Sequence, residues 1–254
     1  MASEKTISQI RGELKRADEE GLVSFIDTYL QDEREGVRRL AAQACRKLKK
    51  IQAERARLEK MRLYENRYEG YGLICGVDEA GRGPLAGPVA AGAVILPKGC
   101  TILHLNDSKK LSPSVREELY LEIMDKAICA AVGFSSPRRI DEINILQADY
   151  EAMRKAVGSL SPQPSVLLND AVKIPGVGIL QVPIIKGDAK SVSIAAASIL
   201  AKVTRDRIMQ EYETFYPGYG FAGHKGYGTA EHIKAIKSLG PCPIHRRTFI
   251  KNFI

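Results

Sequence analysis

The chain has 254 residues, 44% of them hydrophobic, and 38 Lys+Arg against 30 Asp+Glu give a formal net charge of +8. That is enough apolar material for one large domain or a medium domain with an appendage, and the charge favours an anionic partner such as nucleic acid. Five cysteines without a C-x-x-C pair, no charged-then-apolar leader and no apolar run near the ~18 residues of a membrane span argue against disulfide-scaffold, secreted and membrane classes, so a soluble cytoplasmic protein is expected.

Residues 1–70 read as a helical extension. They contain no proline, and apolar residues recur at helical spacing as Ile7, Ile10, Leu14 and then Leu22, Phe25, Tyr29. From Val37 to Glu69 there is neither Gly nor Pro, and Val37, Leu40, Ala44, Leu48, Ile51, Leu58 and Met61 form one stripe. A single helix of that length would reach roughly 50 Å. Its charge is uneven: residues 34–62 hold eleven Lys/Arg against three Asp/Glu, whereas residues 1–33 hold four against eight. A solvated charged face and a basic arm on nucleic acid both remain open. Gly70 and Gly72 mark the boundary.

From residue 71 the texture alternates strand and helix. Strands are expected at Leu73–Val77, Val89–Leu96, Ile102–Leu105, Ala131–Ser135, Ser165–Leu168 and Val182–Ile185. Helices are expected from Ser112–Ser114 to about Ala130, then at Ile143–Leu160, Ser193–Tyr212 and Thr229–Leu239. Strands first and strand–helix alternation after them indicate an α/β domain with a mixed sheet over residues 71–254.

The stretch Gly76-Val77-Asp78-Glu79-Ala80-Gly81-Arg82-Gly83-Pro84 carries the most chemistry. Two adjacent carboxylates follow an apolar run, a placement whose repulsion a divalent cation removes. The Gly81-Arg82-Gly83 turn leaves backbone N–H groups open to a phosphate or ribose. A P-loop is excluded because Arg82 and Gly83 replace its Lys and hydroxyl residue, and two acids lie where phosphate would sit. A dinucleotide fingerprint needs a helix next, and Pro84 with the run to Leu96 reads as strand.

Asp170 and Asp188 also follow apolar runs, so four acids collect at strand ends, the pattern of a hard-metal site. Asp78 and Glu79 can both face such a site only if their strand ends there. Asp188 also precedes a helix and can serve as its cap. His104, His224, His232 and His245 lack ligand spacing, and Cys242-x-x-His245 reads as structural before zinc-binding.

Gly76 to Val89 (GVDEAGRGPLAGPV), Asn106 to Ser112 (NDSKKLS), Lys186-Gly187-Asp188, Ala195 to Arg205 (AAASILAKVTR) and His224 to Thr229 (HKGYGT) together resemble bacterial ribonuclease HII, in order, over about residues 71 to 247. The sister family, ribonuclease HIII, typically has Gly-Lys-Gly where this chain has Gly81-Arg82-Gly83. The resemblance implies a ribonuclease H-like fold, a mixed sheet flanked by helices. It implies endonucleolytic cleavage of RNA in RNA–DNA hybrids and on the 5′ side of ribonucleotides embedded in duplex DNA, leaving a 5′-phosphate. It implies Mg²⁺ or Mn²⁺, with Asp78, Glu79, Asp170 and Asp188 as catalytic carboxylates. Asp170 departs locally from the family pattern, lying in Leu168-Asn169-Asp170-Ala171. Residues 1–70 lie outside the resemblance.

Two cations about 3.5–4 Å apart would clamp the scissile phosphate, and no histidine base is needed. Discrimination of RNA requires a reader of the 2′-OH, a role the resemblance gives to the backbone of Gly81, Arg82 and Gly83. It assigns Tyr227, between two glycines, to the deoxyribose after the ribonucleotide. A surface ion pair for Arg82 and a core position for Tyr227 are the plainer readings. Lys109, Lys110, Lys186, Lys202 and Arg205 are candidate phosphate contacts. The tail from Phe249 to Ile254 either packs on the domain or docks a protein partner. A ribonuclease of HIII type and a non-catalytic nucleic-acid-binding protein are the alternatives.

Overall fold

The computed structural model describes residues 5–252 and 254. The chain forms two compact units, one ending at Glu59 and one running from Lys60 to Ile254, so they part about ten residues before Gly70.

The first unit contains α1 (Ile7–Arg16), α2 (Glu19–Tyr29) and most of α3 (Glu35–Met61). Thr6 and Gln9 close a capping box on α1, each side chain accepting the other's backbone N–H, and Asp18 caps α2 through the Gly21 N–H at 2.8 Å. The stripes seen in the sequence meet as a small core of Ile10, Leu14, Leu22, Phe25, Val37, Leu40, Ala41 and Ala44. The single long helix expected from Val37 to Glu69 is interrupted. α3 stops at Met61, and α4 (Leu63–Tyr68) begins after Arg62. The Arg62 guanidinium donates to the carbonyls of Gly99 and Cys100 and to the Thr101 hydroxyl, tying the junction to the second unit's own loop.

The second unit is built on β1 (Ile74–Ala80), β2 (Val89–Ile95), β3 (Cys129–Ser135), β4 (Val166–Asp170) and β5 (Leu180–Ile184), with α5 (Pro113–Lys126), α6 (Pro137–Gly158), α7 (Val192–Phe215), α8 (Phe221–His224), α9 (Ala230–Leu239) and α10 (Arg247–Ile250). The sheet order is β3-β2-β1-β4-β5. β1 pairs antiparallel with β2 and parallel with β4, which gives the mixed sheet the alternation implied.

Two helices cover its faces. Ala148, Ala152, Met153 and Ala156 of α6 pack with Cys75, Val77, Ala91 and Ala93. α7 lies unusually close on the other face, because Gly76 and Gly92 carry no side chain. A Cβ at Gly76 would collide with the Ser193 backbone, and one at Gly92 with the Ala197 carbonyl. The run Ala195-Ala196-Ala197 supplies the matching small residues, all fully buried.

Four expectations need correction. β1 continues through Asp78 and Glu79, which pair with Gly92 and Ala91, so the strand does not stop before the acids. Ile102–Leu105 is not a strand. Ile102 and Leu105 are buried as anchors, but His104 takes φ 70°, which breaks an extended run. The helix expected to reach Ala130 ends at Lys126, since β3 needs Cys129 to pair with Ile95. α6 starts earlier than expected, capped by Ser136, and turns sharply at Asn144 (φ 66°).

Candidate active site

The parallel pairing of β1, β4 and β5 brings their C-terminal ends to one edge of the sheet. Asp78 and Asp170 each lie one residue beyond the Val77–Asn169 pair, and Asp188 follows β5 in a short 3₁₀ turn, Gly187–Ala189. Asp170 takes the central place, since its charge is felt by Asp78, Glu79 and Asp188 alike. Asp78 points toward α7 and Glu79 toward α6, as strand alternation requires. The two therefore approach the site from opposite sides of the strand end.

Burial pushes the Asp78 carboxyl well above the usual carboxylate range, and the charge of Glu79 adds to this, while a hydrogen bond from Ser198 opposes it. Burial also raises Glu79, with Arg82 and Lys109 opposing and Asp170 reinforcing. Asp188 is raised by burial and then by Asp107 and Asp170. Among the described residues no three His, Cys, Asp or Glu side chains already enclose a metal position. The carboxylates are held by backbone donors: the Glu79 N–H to Asp78 Oδ1 at 2.8 Å and the Gly187 N–H to Asp170 Oδ1 at 2.7 Å. The donor chemistry nonetheless fits a hard divalent cation. All donors are oxygen and partly desolvated, and the raised carboxyls of Asp78, Glu79 and Asp188 reflect burial first and mutual repulsion second, both of which favour binding such a cation.

The Gly81-Arg82-Gly83 turn is fixed by two buried arginines. Gly81 takes φ 93°, and a side chain there would collide with Arg205. Arg246 donates to the carbonyls of Gly81 (2.5 Å), Arg82 (2.8 Å) and Gly87 (3.0 Å). Arg205 donates to those of Pro88 (2.9 Å), Ala86 (3.0 Å) and Lys225 (3.0 Å). Arg205 is thus a scaffold residue, and its candidacy as a phosphate contact fails because it is fully buried among carbonyls. Lys202 is similarly engaged, 2.8 Å from Asp206. Lys109, Lys110 and Lys186 are exposed, and Lys109 lies near enough to lower both Glu79 and Asp188.

Arg82 projects from the turn with 42% of its side chain exposed, its Nη1 3.7 Å from Glu79 Oε1 and its Nε 3.6 Å from Asp149 Oδ2. Asp149, on α6, is fully buried, and neither of its carboxylate oxygens has a hydrogen-bond partner. Burial and the Glu79 charge push it up to about 8, with Arg82 opposing.

Tyr227 is 41% exposed, with the Lys202 ammonium 5.6 Å and the Arg205 guanidinium 5.9 Å from its ring centroid. Gly226 holds φ 83° and packs against the Ala86 carbonyl. A chain of imidazoles supports the loop. His232 Nδ1 donates to the Tyr227 carbonyl at 2.9 Å, so its Nε2 accepts from His245 Nε2, 3.0 Å away. His245 Nδ1 in turn accepts the Cys242 N–H at 3.0 Å. Burial lowers both, His245 to about 4, so they stay neutral. Both His245 nitrogens are engaged, which gives Cys242 and His245 a structural role.

Family models match residues 75–252 as ribonuclease HII and residues 6–69 as the ribonuclease HII N-terminal domain. The chain belongs to the ribonuclease HII family. A ribonuclease HII of Lachnoclostridium phytofermentans is 61% identical over 97% of each chain, and one of Clostridioides difficile is 49% identical over 99% of each. The crystal structure of the ribonuclease H2 from Pyrococcus horikoshii OT3 shares 28% identity and a TM-score of 0.58 over 71% of this chain and 96% of that one. The protein is therefore a metal-dependent ribonuclease H, an endoribonuclease of RNA–DNA hybrids.

The ribonuclease HII motifs pointed to the four acids, the glycine turn and Tyr227, and the structure places them at one end of the unit. Sequence reasoning passed over Asp107, Asp149, Ser198 and Arg246. Asp149 had a readable signal, since it lies on the buried face with Ala148, Ala152, Met153 and Ala156, where an acid is out of place. In the tail, Phe249 and Ile250 pack into the unit, Lys251, Asn252 and Ile254 are exposed, and Phe253 lies outside the described residues.

Proposed function

We propose that the enzyme cuts the RNA strand of hybrids and the 5′ side of ribonucleotides embedded in duplex DNA, leaving a 5′-phosphate, with Mg²⁺ or Mn²⁺ held by Asp78, Glu79, Asp170 and Asp188. The observation that carries this reading is the meeting of these acids around Asp170, with three of them pushed up by burial and mutual charge. Bound there, a pair of divalent cations supplies a water of lowered pKa and a Lewis acid for the departing 3′ oxygen.

The chain's own residues supply binding and selection. Gly83 faces open space, so a ribose can approach the backbone of the Gly81-Arg82-Gly83 turn, where the 2′-OH distinguishes RNA from DNA. Arg246 and Arg205 keep that turn rigid, which places its groups before substrate arrives. The exposed face of Tyr227 stacks on the neighbouring deoxyribose, and exposed Lys109 and Lys186 meet phosphates. We also assign the enzyme to the cytoplasm. Its five cysteines are free, and no helix among the described residues is long and apolar enough to cross a membrane.

The test is a duplex with one embedded ribonucleotide, incubated with and without Mn²⁺. Metal-dependent cleavage on the 5′ side of the ribonucleotide is expected. Cleavage of long hybrids alone would indicate an HIII-type specificity, and binding without cleavage a non-catalytic protein; either overturns the proposal.

A further inference from the structure

The first unit has a cleft of about 560 Å³ between α1 and α3. Its walls carry Arg11 and Lys15 on one side and Arg46, Lys47 and Lys50 on the other, over a floor of Leu14. Arg11/Lys15 and Arg46/Lys50 are four residues apart, so each pair presents one helix face. All five cations are exposed, and no acid lines the cleft.

What sets these cations apart is that they converge without acidic partners on one concave surface. Elsewhere in the unit, Lys5 pairs with Glu13, Arg34 with Asp32, Arg39 with Glu35, Arg55 with Glu19 and Arg57 with Glu54. Among the described residues none of the five cleft cations has an acidic partner, and only Lys47 is engaged at all, donating to the Ala17 carbonyl at 3.2 Å. The local excess of positive charge seen in the sequence is therefore not spread evenly along α3. Ion pairs at Arg39, Arg55 and Arg57 offset part of it, and Arg46, Lys47 and Lys50 bring part of the remainder to one concave surface.

We propose that this cleft binds the sugar–phosphate backbone of a nucleic-acid duplex. The row from Gln43 to Lys50 extends about 10 Å, and one duplex strand carries a charge every ~3.4 Å, so the row faces about three phosphates. No aromatic lines the cleft, which disfavours base stacking and hence a single strand. Cations that meet phosphates carry no sequence information, so binding independent of sequence is expected. Joined to the catalytic unit by one chain, such a surface raises the effective concentration of duplex without adding contacts at the scissile bond. The proposal rests on the reading of the enzyme as one that acts on duplex substrates, and it extends that reading to the unit without catalytic residues.

The experiment uses the full chain in EDTA, so that binding is measured without cleavage. The probes are a fluorescent all-DNA duplex and an RNA–DNA hybrid, titrated at several salt concentrations. Substituting Arg11→Gln, Arg46→Gln and Lys50→Gln together removes three phosphate contacts. It should lower the slope of log affinity against log salt by about 2.7, at ~0.9 per contact. These side chains are on the surface, so an unchanged melting curve is expected. A control, Arg39→Gln with Arg55→Gln, removes cations already paired and should leave the slope within about 1 of the parent. An unchanged slope in the triple variant overturns the proposal and leaves an acidic protein surface as the cleft's partner. An equal loss in the control overturns it as well, since net charge and not the cleft would then be responsible. Cleavage by the metal-loaded triple variant at saturating substrate should match the parent, which separates failure here from failure of the catalytic reading.

Discussion

Replacing Asp149 with Asn should make the protein more stable and less active. Asp149 is fully buried, neither carboxylate oxygen is hydrogen-bonded, and its one cationic neighbour, Arg82, stands 3.6 Å off. An unsatisfied buried polar group costs about 1–3 kcal/mol, and more when charged. Arg82 is 42% exposed, so losing its partner does not strand a buried charge. The sign with pH follows from burial. Asp149 is pushed up from an ordinary 3.8 to about 8, so between those values the folded protein binds more protons than the unfolded chain. Stability therefore falls as pH rises through this window, and the Asn variant does not share that fall. At about 1.36 kcal/mol per pH unit the separation sets a ceiling of roughly 6 kcal/mol. The Asn amide takes over the same unpartnered site, which reduces the expected gain at pH 8 to about 1–3 kcal/mol, or roughly 3–10 °C in Tm for a unit of this size. The assay is thermal melting in EDTA at pH 5 and pH 8, with the gap between variant and parent wide at pH 8 and nearly closed at pH 5. Activity should fall about fivefold, because on the proposed metal assignment Glu79 is taken up with cations and Asp149 is the acid left to orient Arg82. A variant that melts lower than the parent at pH 8, or shows the same gap at both pH values, would refute the reasoning.

Three further outcomes are expected. Asp78→Asn should abolish most turnover while hybrid binding stays equal or tightens, since one negative charge leaves the phosphate site; steady-state kinetics and anisotropy in EDTA check both. Mn²⁺ at about 100 times its Kd should add roughly 2.7 kcal/mol to folding. That increment should grow from pH 5.5 to pH 8, because protons on the raised carboxyls of Asp78, Glu79 and Asp188 compete with the metal; melting with and without Mn²⁺ reads it. Tyr227→Ala should reduce single-ribonucleotide cleavage by the ~1–3 kcal/mol of one stack while all-RNA hybrid cleavage falls less, and equal losses on both substrates would return Tyr227 to a packing role.

The sheet and most helices were legible because their signals are local. Ser112 before Pro113 and Thr229 before Ala230 cap the helices they announce. Val89–Ile95 is an uninterrupted apolar run, fully buried in the sheet. What stayed hidden depends on distant partners. Ile102 and Leu105 have the apolar character of a strand but no neighbouring strand to pair with, so burial alone did not fix their backbone. The break at Arg62 has no Gly or Pro to mark it; it goes with a guanidinium bound to carbonyls 37 and 38 residues away. The acids at the site were readable as residue types. Their crowding around Asp170 was not, because it arises from the register of β1 against β4.

The anchoring of the Gly81-Arg82-Gly83 turn has a consequence for the order in which the molecule is made. Arg246 reaches the Gly81 carbonyl across 165 residues, and it also holds Arg82 and Gly87. The turn is synthesised first, and its brace follows only 165 residues later. Chains grow at about 5–20 residues per second, so a nascent polypeptide carries the glycine turn for roughly 8–30 seconds before its brace exists. Asp78, Glu79 and the turn come off the ribosome together, Asp170 and Asp188 follow, and the brace that holds the proposed ribose-reading turn comes after all four acids. If the turn reads the ribose as proposed, a nuclease made beside its own messenger acquires that selectivity only once Arg246 has been added.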